Sequence, residues 1–418
     1  MSKPVTMAVI GAGGRGTGAY APYSLKFADR LNVVAVAEPN DNRRKIFSDM
    51  YNIPEENQFT SWEELLEKGG FDSVLIANQD ADHFQPIMKS IEKGYHILAE
   101  KPISNNLEEV KELLKVIPEY DKVFYICHVL RYTPFFQNIK KILKSGAIGD
   151  IISIQHNENV GIFHFCHSFV RGSWGNSNTS SPMVLAKSCH DMDILNYLID
   201  KECKNVSSFG SLTHFKKENA PEGVPERCSD GCEIADTCPF SAYKYFEDDK
   251  EHFIPNFAEV VKLFAEKDDI LEAIKISPYG RCVYHCDNNV VDHQIINMEY
   301  QDDVTVSFNL IGFTDKCGRT LKILGTGGEL RAHEVNNEII VVDYSTGLET
   351  VYNVPVSLTG HSGGDEGMIK HFVKSVNNPN YDEIKASNVQ GLKAHLMSFA
   401  AEESRLEKSV VNMEEFSK

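Results

Sequence analysis

The chain has 418 residues, with 60 Asp and Glu against 42 Lys and Arg and a formal charge of −18. That excess of acid repels phosphate backbones and anionic lipid surfaces, which excludes nucleic acid and membrane as expected partners. The length exceeds one ordinary core, so two domains are expected, and no apolar run reaches the ~20 residues that cross a bilayer. The opening residues, MSKPVTMAVIGAGG, run straight into glycines without a basic region or a small-residue cleavage site; they read as part of a cytoplasmic fold. Ten cysteines without a secretory signal read as thiols or metal ligands rather than disulfides.

Up to about Cys127, short apolar runs (VTMAVIG, NVVAVAE, SVLIA, YHILAE, KVFYIC) alternate with segments of helical period such as LEEVKELLKVI. That rhythm predicts parallel strands with crossover helices over residues 1–127. VIGAGGRGTGAY places Gly11, Gly13 and Gly16 in the GxGxxG spacing between the first strand and a helix, with Gly14 and Arg15 inside the turn. The first glycine permits the turn, the second lets a pyrophosphate approach the backbone, and the third lets the helix pack closely. Glu38, about 20 residues on at the end of the second strand, is the acid expected to take the ribose hydroxyls. Together these predict a Rossmann dinucleotide-binding domain. Glu38 favours NAD over NADP, with Arg43 and Arg44 leaving NADP open.

Strand four ends in ANQDADHF and strand five in AEKPIS, so Asn78, His83, Glu100 and Lys101 lie beyond the carboxyl ends where such sheets bind ligands. Lys101 is thereby aimed at the nicotinamide end.

From 128 to 418 the rhythm changes. DVTVSFNLI sets Val304, Val306, Phe308 and Leu310 on one face against Thr305, Ser307 and Asn309, as in a half-exposed antiparallel strand. TGG, NN and STG mark turns between further strands. The second domain is expected to be α+β, with an open, mainly antiparallel sheet covered by helices on one face. Its bare face predicts a homo-dimer or homo-tetramer.

HVLRYTP offers His128, Arg131 and Tyr132 at the domain junction, where small-molecule sites commonly lie. HNENVGIFHFCHSFVRGSWGN offers Glu158, Asn159, His164, His167, Arg171 and Trp174 for hydroxyl recognition and stacking; the HxxH pair could also suit a metal. YGRCVYHCDNNVVDHQ adds Arg281, Asp287, Asp292 and His293, which serve equally as strand-edge residues. A polar, Cys-rich insertion spans about 213–289. There Cys228, Cys232 and Cys238, with Cys282 or Cys286, could hold one structural zinc or pack as reduced thiols. Were CVYHC extended, its sulfurs would stand roughly 13 Å apart, so only one could join.

Five segments in order along the whole chain, GxGxxG, AEKPIS, HVLRYTPFF, GAIGDI and CHDMDIL, resemble the glucose-fructose oxidoreductase, inositol dehydrogenase and rhizopine-catabolism (Gfo/Idh/MocA) family. The resemblance implies a Rossmann domain followed by a larger open-sheet domain, and oxidation or reduction of a sugar or cyclitol hydroxyl with NAD or NADP. It carries a catalytic lysine onto Lys101 and a catalytic histidine onto His190. The aspartate the family often has four residues before that histidine is Ala186 here, with Lys187 next to it.

In SSPMVLAKSCHDMDILNYL, Ser181 and Pro182 read as a cap and first helical residue, predicting one helix over 182–199. Lys187, His190 and Asp191 would then share a face at i, i+3 and i+4. His190 is the expected base for a hydroxyl proton, with Lys187 or Lys101 polarising the oxygen and Asp191 or Asp193 orienting them. Two other readings stand beside the dehydrogenase: a glycosidase that oxidises transiently and eliminates, and a non-catalytic NAD-binding regulator.

Overall fold

The computed structural model describes residues 3–245, 267–357 and 360–418; part of the Cys-rich stretch expected over 213–289 lies outside the described residues. The N-terminal sheet has six strands: β1 (Val5–Ile10), β2 (Leu31–Ala37), β3 (Gln58–Phe59), β4 (Ser73–Ile76), β5 (His96–Ala99) and β6 (Phe124–Ile126). All pair parallel in the order β3-β2-β1-β4-β5-β6. Every residue of β4 and β6 is buried, as parallel strands covered on both faces require. The order reverses between β1 and β4, which opens the ligand crevice at their carboxyl ends. The two-residue β3 is too short to leave a pattern in the sequence.

The glycine turn follows β1. Gly11 has φ +92°, and a Cβ there would lie 2.6 Å from the Ala77 carbonyl oxygen. A Cβ on Gly16 would lie 2.1 Å from the Gly11 carbonyl oxygen. Gly16→Ala is therefore expected to cost about 1–3 kcal/mol in a urea titration and to abolish dinucleotide binding in a calorimetric titration. Binding at wild-type affinity would contradict this steric account.

Helix Gly364–Asn377, from the far end of the chain, returns to this sheet: Met368, Ile369, Phe372 and Val373 share a core with Met7, Val9, Val36 and Leu98. The first 127 residues thus share their core with residues near the C-terminus.

The second sheet has nine strands: β7 (Ile151–Asn159), β8 (Cys203–Ser211), β9 (His293–Tyr300), β10 (Thr305–Ile311), β11 (Gly318–Gly325), β12 (Gly328–His333), β13 (Glu338–Asp343), β14 (Glu349–Asn353) and β15 (Val411–Asn412). Their order is β14-β13-β12-β11-β7-β10-β9-β8-β15, antiparallel except where β10 runs parallel to β7. Val306, Phe308 and Leu310 point into the core as their alternation requires. Helices Cys189–Ile199 and Tyr381–Glu407 cover that inner face. On the outer face Phe209 and Ile295 pair across β8 and β9 and remain exposed.

The single helix expected over 182–199 is broken. Met183–Ala186 forms one turn, Lys187 and Ser188 form a bend with Ser188 at φ −99°, ψ 6°, and the helix resumes at Cys189. Ser181 does not cap it; Pro182 occupies the cap position. The break leaves the Ala186 carbonyl, which a continuous helix would turn toward the His190 amide, to accept instead from the Lys101 ammonium at 2.9 Å.

Candidate active site

Glu38 is buried at the end of β2, and its carboxylate accepts from the amides of Ala12 and Asn40 at 2.9 and 3.0 Å. It is thereby fixed beside the glycine turn, while a Cβ on Gly13 or Gly14 would meet nothing within 4 Å. A turn closed by its first and third glycines, open at its second, and flanked by a held carboxylate fits a dinucleotide whose pyrophosphate lies on backbone amides. Arg15 points across the turn, bonded to Glu100 at 2.5 Å and to Asp365 at 2.9 and 3.0 Å. Burial would raise the Glu100 carboxyl, but Arg15 and Lys101 outweigh it and hold its pKa below the usual value.

Asn78 and His83 brace the loops at this end. The His83 ring is buried, 2.8 Å from the Pro102 carbonyl and 3.2 Å from that of Asn78, whose own side chain donates to Asp82. His83 is therefore committed to the Lys101–Pro102 loop rather than to a ligand. The indole of Trp174 crosses from the second domain to donate to Asp80 at 2.9 Å, tying the two domains at the exit of β4.

His190 lies at the centre. Its ring is buried and faces Lys101, His128, His361 and Arg319. Burial first, then the Lys101 ammonium and the neighbouring imidazoles, push its pKa well below the ordinary value. The ring is neutral at physiological pH and able to accept a proton.

The break at residues 187–188 separates the residues expected on one face. Lys187 Nζ lies 3.1 Å from Glu158, and Glu158 and Asp191 each lie 2.7 Å from Arg319, with His156 2.7 Å from Asp191. Arg319 and His156 escaped the sequence reading, which expected Asp191 and Glu158 at substrate. Both carboxylates are instead buried in this network, because charges in a core persist only when paired. Arg131 is likewise committed, bidentate to Asp193 at 2.5 and 2.6 Å. Arg171 donates to the carbonyls of Arg281 and Phe240 at 2.7 and 2.6 Å, clamping the Cys-rich segment rather than facing a sugar. Tyr132 is half-buried against His371.

His164 lies 4.0 Å from the Cys317 sulfur, and His167 stacks on Tyr279 at 4.4 Å, where burial pushes its pKa down to about 3. Arg281 pairs with Asp287, and Asp292 accepts from the Thr213 and His214 amides and contacts His293; these close loops.

Among the described residues no group of three or more His, Cys, Asp or Glu is arranged to hold a metal, so of the two readings of the Cys-rich segment the zinc one is not supported. The Cys228 sulfur accepts from the Ala242 amide at 3.5 Å and lies 3.9 Å from Arg171. Cys282–Cys286 is a turn rather than a strand, with the Cys286 thiol bonded to the Cys282 carbonyl at 3.2 Å. All ten cysteines, Cys232 and Cys238 among them, are free thiols. His361 and Asp365 were also missed, although the run GHSGGDEG, glycine-rich before a helix, carries a signal that could have found them.

A switch-point crevice at a glycine turn flanked by a held carboxylate is the arrangement of a dinucleotide-binding Rossmann domain. Residues 5–128 match the oxidoreductase family's NAD-binding Rossmann fold, and residues 140–413 match that family's C-terminal alpha/beta domain. The chain belongs to the Gfo/Idh/MocA oxidoreductase family. It is 21% identical over 368 residues to YteT of Bacillus subtilis (strain 168), covering 82% of each chain. It is 25% identical over 214 residues to an inositol 2-dehydrogenase of Corynebacterium glutamicum (strain R), covering 49% of this chain and 57% of that one. The structure of a levoglucosan dehydrogenase in complex with NADH and levoglucosan shares the fold, with a TM-score of 0.71 at 16% identity over 98% of this chain and 100% of that one. No helix among the described residues is long and apolar enough to cross a membrane.

Proposed function

We propose that the protein oxidises, or in reverse regenerates, a hydroxyl of a sugar, sugar derivative or cyclitol with NAD. The observation that carries this reading is the neutral, buried His190 facing the Lys101 ammonium at the exit of β5. When bound, the nicotinamide supplies the hydride acceptor. His190 takes the hydroxyl proton, and Lys101, anchored on the Ala186 carbonyl, holds the oxygen and favours its developing charge. Lys187, engaged by Glu158, shapes the wall beside it. The exposed outer face of the nine-stranded sheet supports self-association.

Glu38 would accept from the ribose hydroxyls and repel a 2′-phosphate. Glu38→Ala is expected to raise the KM for NAD about 10–100-fold and to narrow the preference over NADP, since a bond to a charged acceptor is lost. An unchanged NAD/NADP ratio of kcat/KM would contradict that role.

Sugars, cyclitols and aryl glycosides offered with NAD and NADP, while reduced-cofactor absorbance and aglycone release are both followed, test the reading. NADH formation from a subset of polyols is expected. Aglycone release without NADH would replace the reading with a redox-neutral glycosidase. Dinucleotide binding without any turnover would replace it with a regulator.

A further inference from the structure

A second imidazole reaches the pocket from near the other end of the chain. His361 lies three residues before helix Gly364–Asn377, and its ring centroid is 6.1 Å from that of His190. Its charge acts on His190 and on His164 as well, so the three rings lie around one space. Unlike His190, which is buried, the His361 side chain is 43% exposed.

One of its nitrogens is fixed. Nδ1 stands 3.0 and 3.1 Å from the two carboxylate oxygens of Asp365. Burial would raise the Asp365 carboxyl, but Arg15 and then His361 outweigh it and hold its pKa below the usual range, so it remains an anion that only accepts. Nδ1 therefore carries the proton it donates. Nε2 has no hydrogen-bond partner among the described residues and is left for a ligand. The same carboxylate takes two bonds from Arg15 of the glycine turn, at 2.9 and 3.0 Å, so a group held on Nε2 is placed in register with that turn. His361 and Ser362 both sit at positive φ, +45° and +52°, a costly conformation that persists only where surrounding contacts over-determine it, as the Asp365 bonds do here.

We propose that His361 is a substrate-binding residue that selects vicinal diols, polyols with a second hydroxyl on the carbon next to the one oxidised. The proposal rests on the oxidoreductase reading. A hydroxyl both donates and accepts, so it bonds Nε2 in either protonation state of the ring. With hydrogen bonds of about 2.8 Å, the 6.1 Å between the rings is spanned by two oxygens on neighbouring carbons, one on His190 and one on His361. A compound without the second hydroxyl leaves Nε2 unpaired, and is discriminated against by the bond it does not make.

Two pairs of compounds and two variants test it. Trans-1,2-cyclohexanediol is compared with cyclohexanol, and D-glucose with 2-deoxy-D-glucose, which lacks the neighbouring hydroxyl for oxidation at carbon 1 or carbon 3. Turnover with NAD and calorimetric binding to the NADH-loaded protein are both measured, for wild type, His361→Leu and His361→Gln. Wild type is expected to favour the member of each pair that has the second hydroxyl. His361→Leu should lower that preference about threefold to tenfold through the KM or Kd of that member, with NAD affinity unchanged. His361→Gln, which returns a hydrogen-bonding group at similar reach, should restore most of it. No preference in wild type by either measurement, an undiminished preference in His361→Leu, an equal loss on both members of a pair, or a loss confined to NAD affinity overturns the proposal. Hydroxyl-dependent binding that His361→Leu abolishes, in a protein that forms NADH with no polyol, would sustain His361 as the selecting group and sink the oxidoreductase reading instead.

Discussion

Replacing His190 by Asn is expected to lower kcat by about 10²–10⁴-fold while leaving NAD affinity unchanged. Asparagine preserves polarity at a buried position but has no nitrogen that is basic near neutral pH. The pH dependence follows from the environment of the ring. Burial, Lys101 and the adjacent imidazoles depress its pKa below the ordinary 6.5. The neutral, competent form therefore persists as pH falls through 6.5, and is lost only when pH reaches the depressed value. Wild-type kcat should stay level below pH 6.5 before declining, and the variant should lack that limb. A variant within threefold of wild-type kcat would remove His190 from the reaction.

Replacing Arg319 by Met is expected to destabilise the fold by about 3–5 kcal/mol, read from the urea midpoint at unchanged slope. Its guanidinium lies 2.7 Å from Asp191, 2.7 Å from Glu158 and 3.4 Å from Glu334. Without it, two fully buried carboxylates lose their shared cation. Burial alone would raise the Asp191 carboxyl, but Arg319 and His156 outweigh it and hold its pKa below the unfolded value of 3.8. A carboxyl depressed in the folded state contributes its full stability above the unfolded pKa and loses it as pH falls through the folded one. The contribution of Asp191 should therefore be complete at neutral pH and fade only below about pH 4, and the variant should show a flatter acid limb. A loss under about 1 kcal/mol would mean that the network is dispensable.

The N-terminal sheet and its glycine turn were legible because each constraint there is local. Buried parallel strands read as continuous apolar runs, and Gly11 and Gly16 are dictated by backbone approach within a few residues. The exit of β5 was legible for the same reason, since Lys101 and Pro102 adjoin the strand end. What stayed hidden is the pairing of charges over long separations. Asp191 meets Arg319 128 residues away, and Arg131 meets Asp193 62 residues away. Residue type alone does not distinguish a carboxylate awaiting substrate from one already satisfied by a distant arginine. The bend at Lys187 and Ser188 was hidden because neither residue breaks a helix by propensity. It is visible only once the Ala186 carbonyl is seen to hold Lys101. The parallel edge of β10 depends on which strand arrives beside it, and the alternation of Val306, Phe308 and Leu310 is the same for either direction.

The central claim is that this pocket passes hydride from a polyol carbon to the nicotinamide while His190 takes the proton. A single-turnover experiment with a sugar or cyclitol deuterated at the reacting carbon, followed by mass spectrometry of the cofactor, tests it directly. Deuterium is expected on the reduced nicotinamide of the wild-type protein, and to appear there about 10²–10⁴-fold more slowly with His190→Asn. Product formed by the wild-type protein with no deuterium ever reaching the nicotinamide would contradict it.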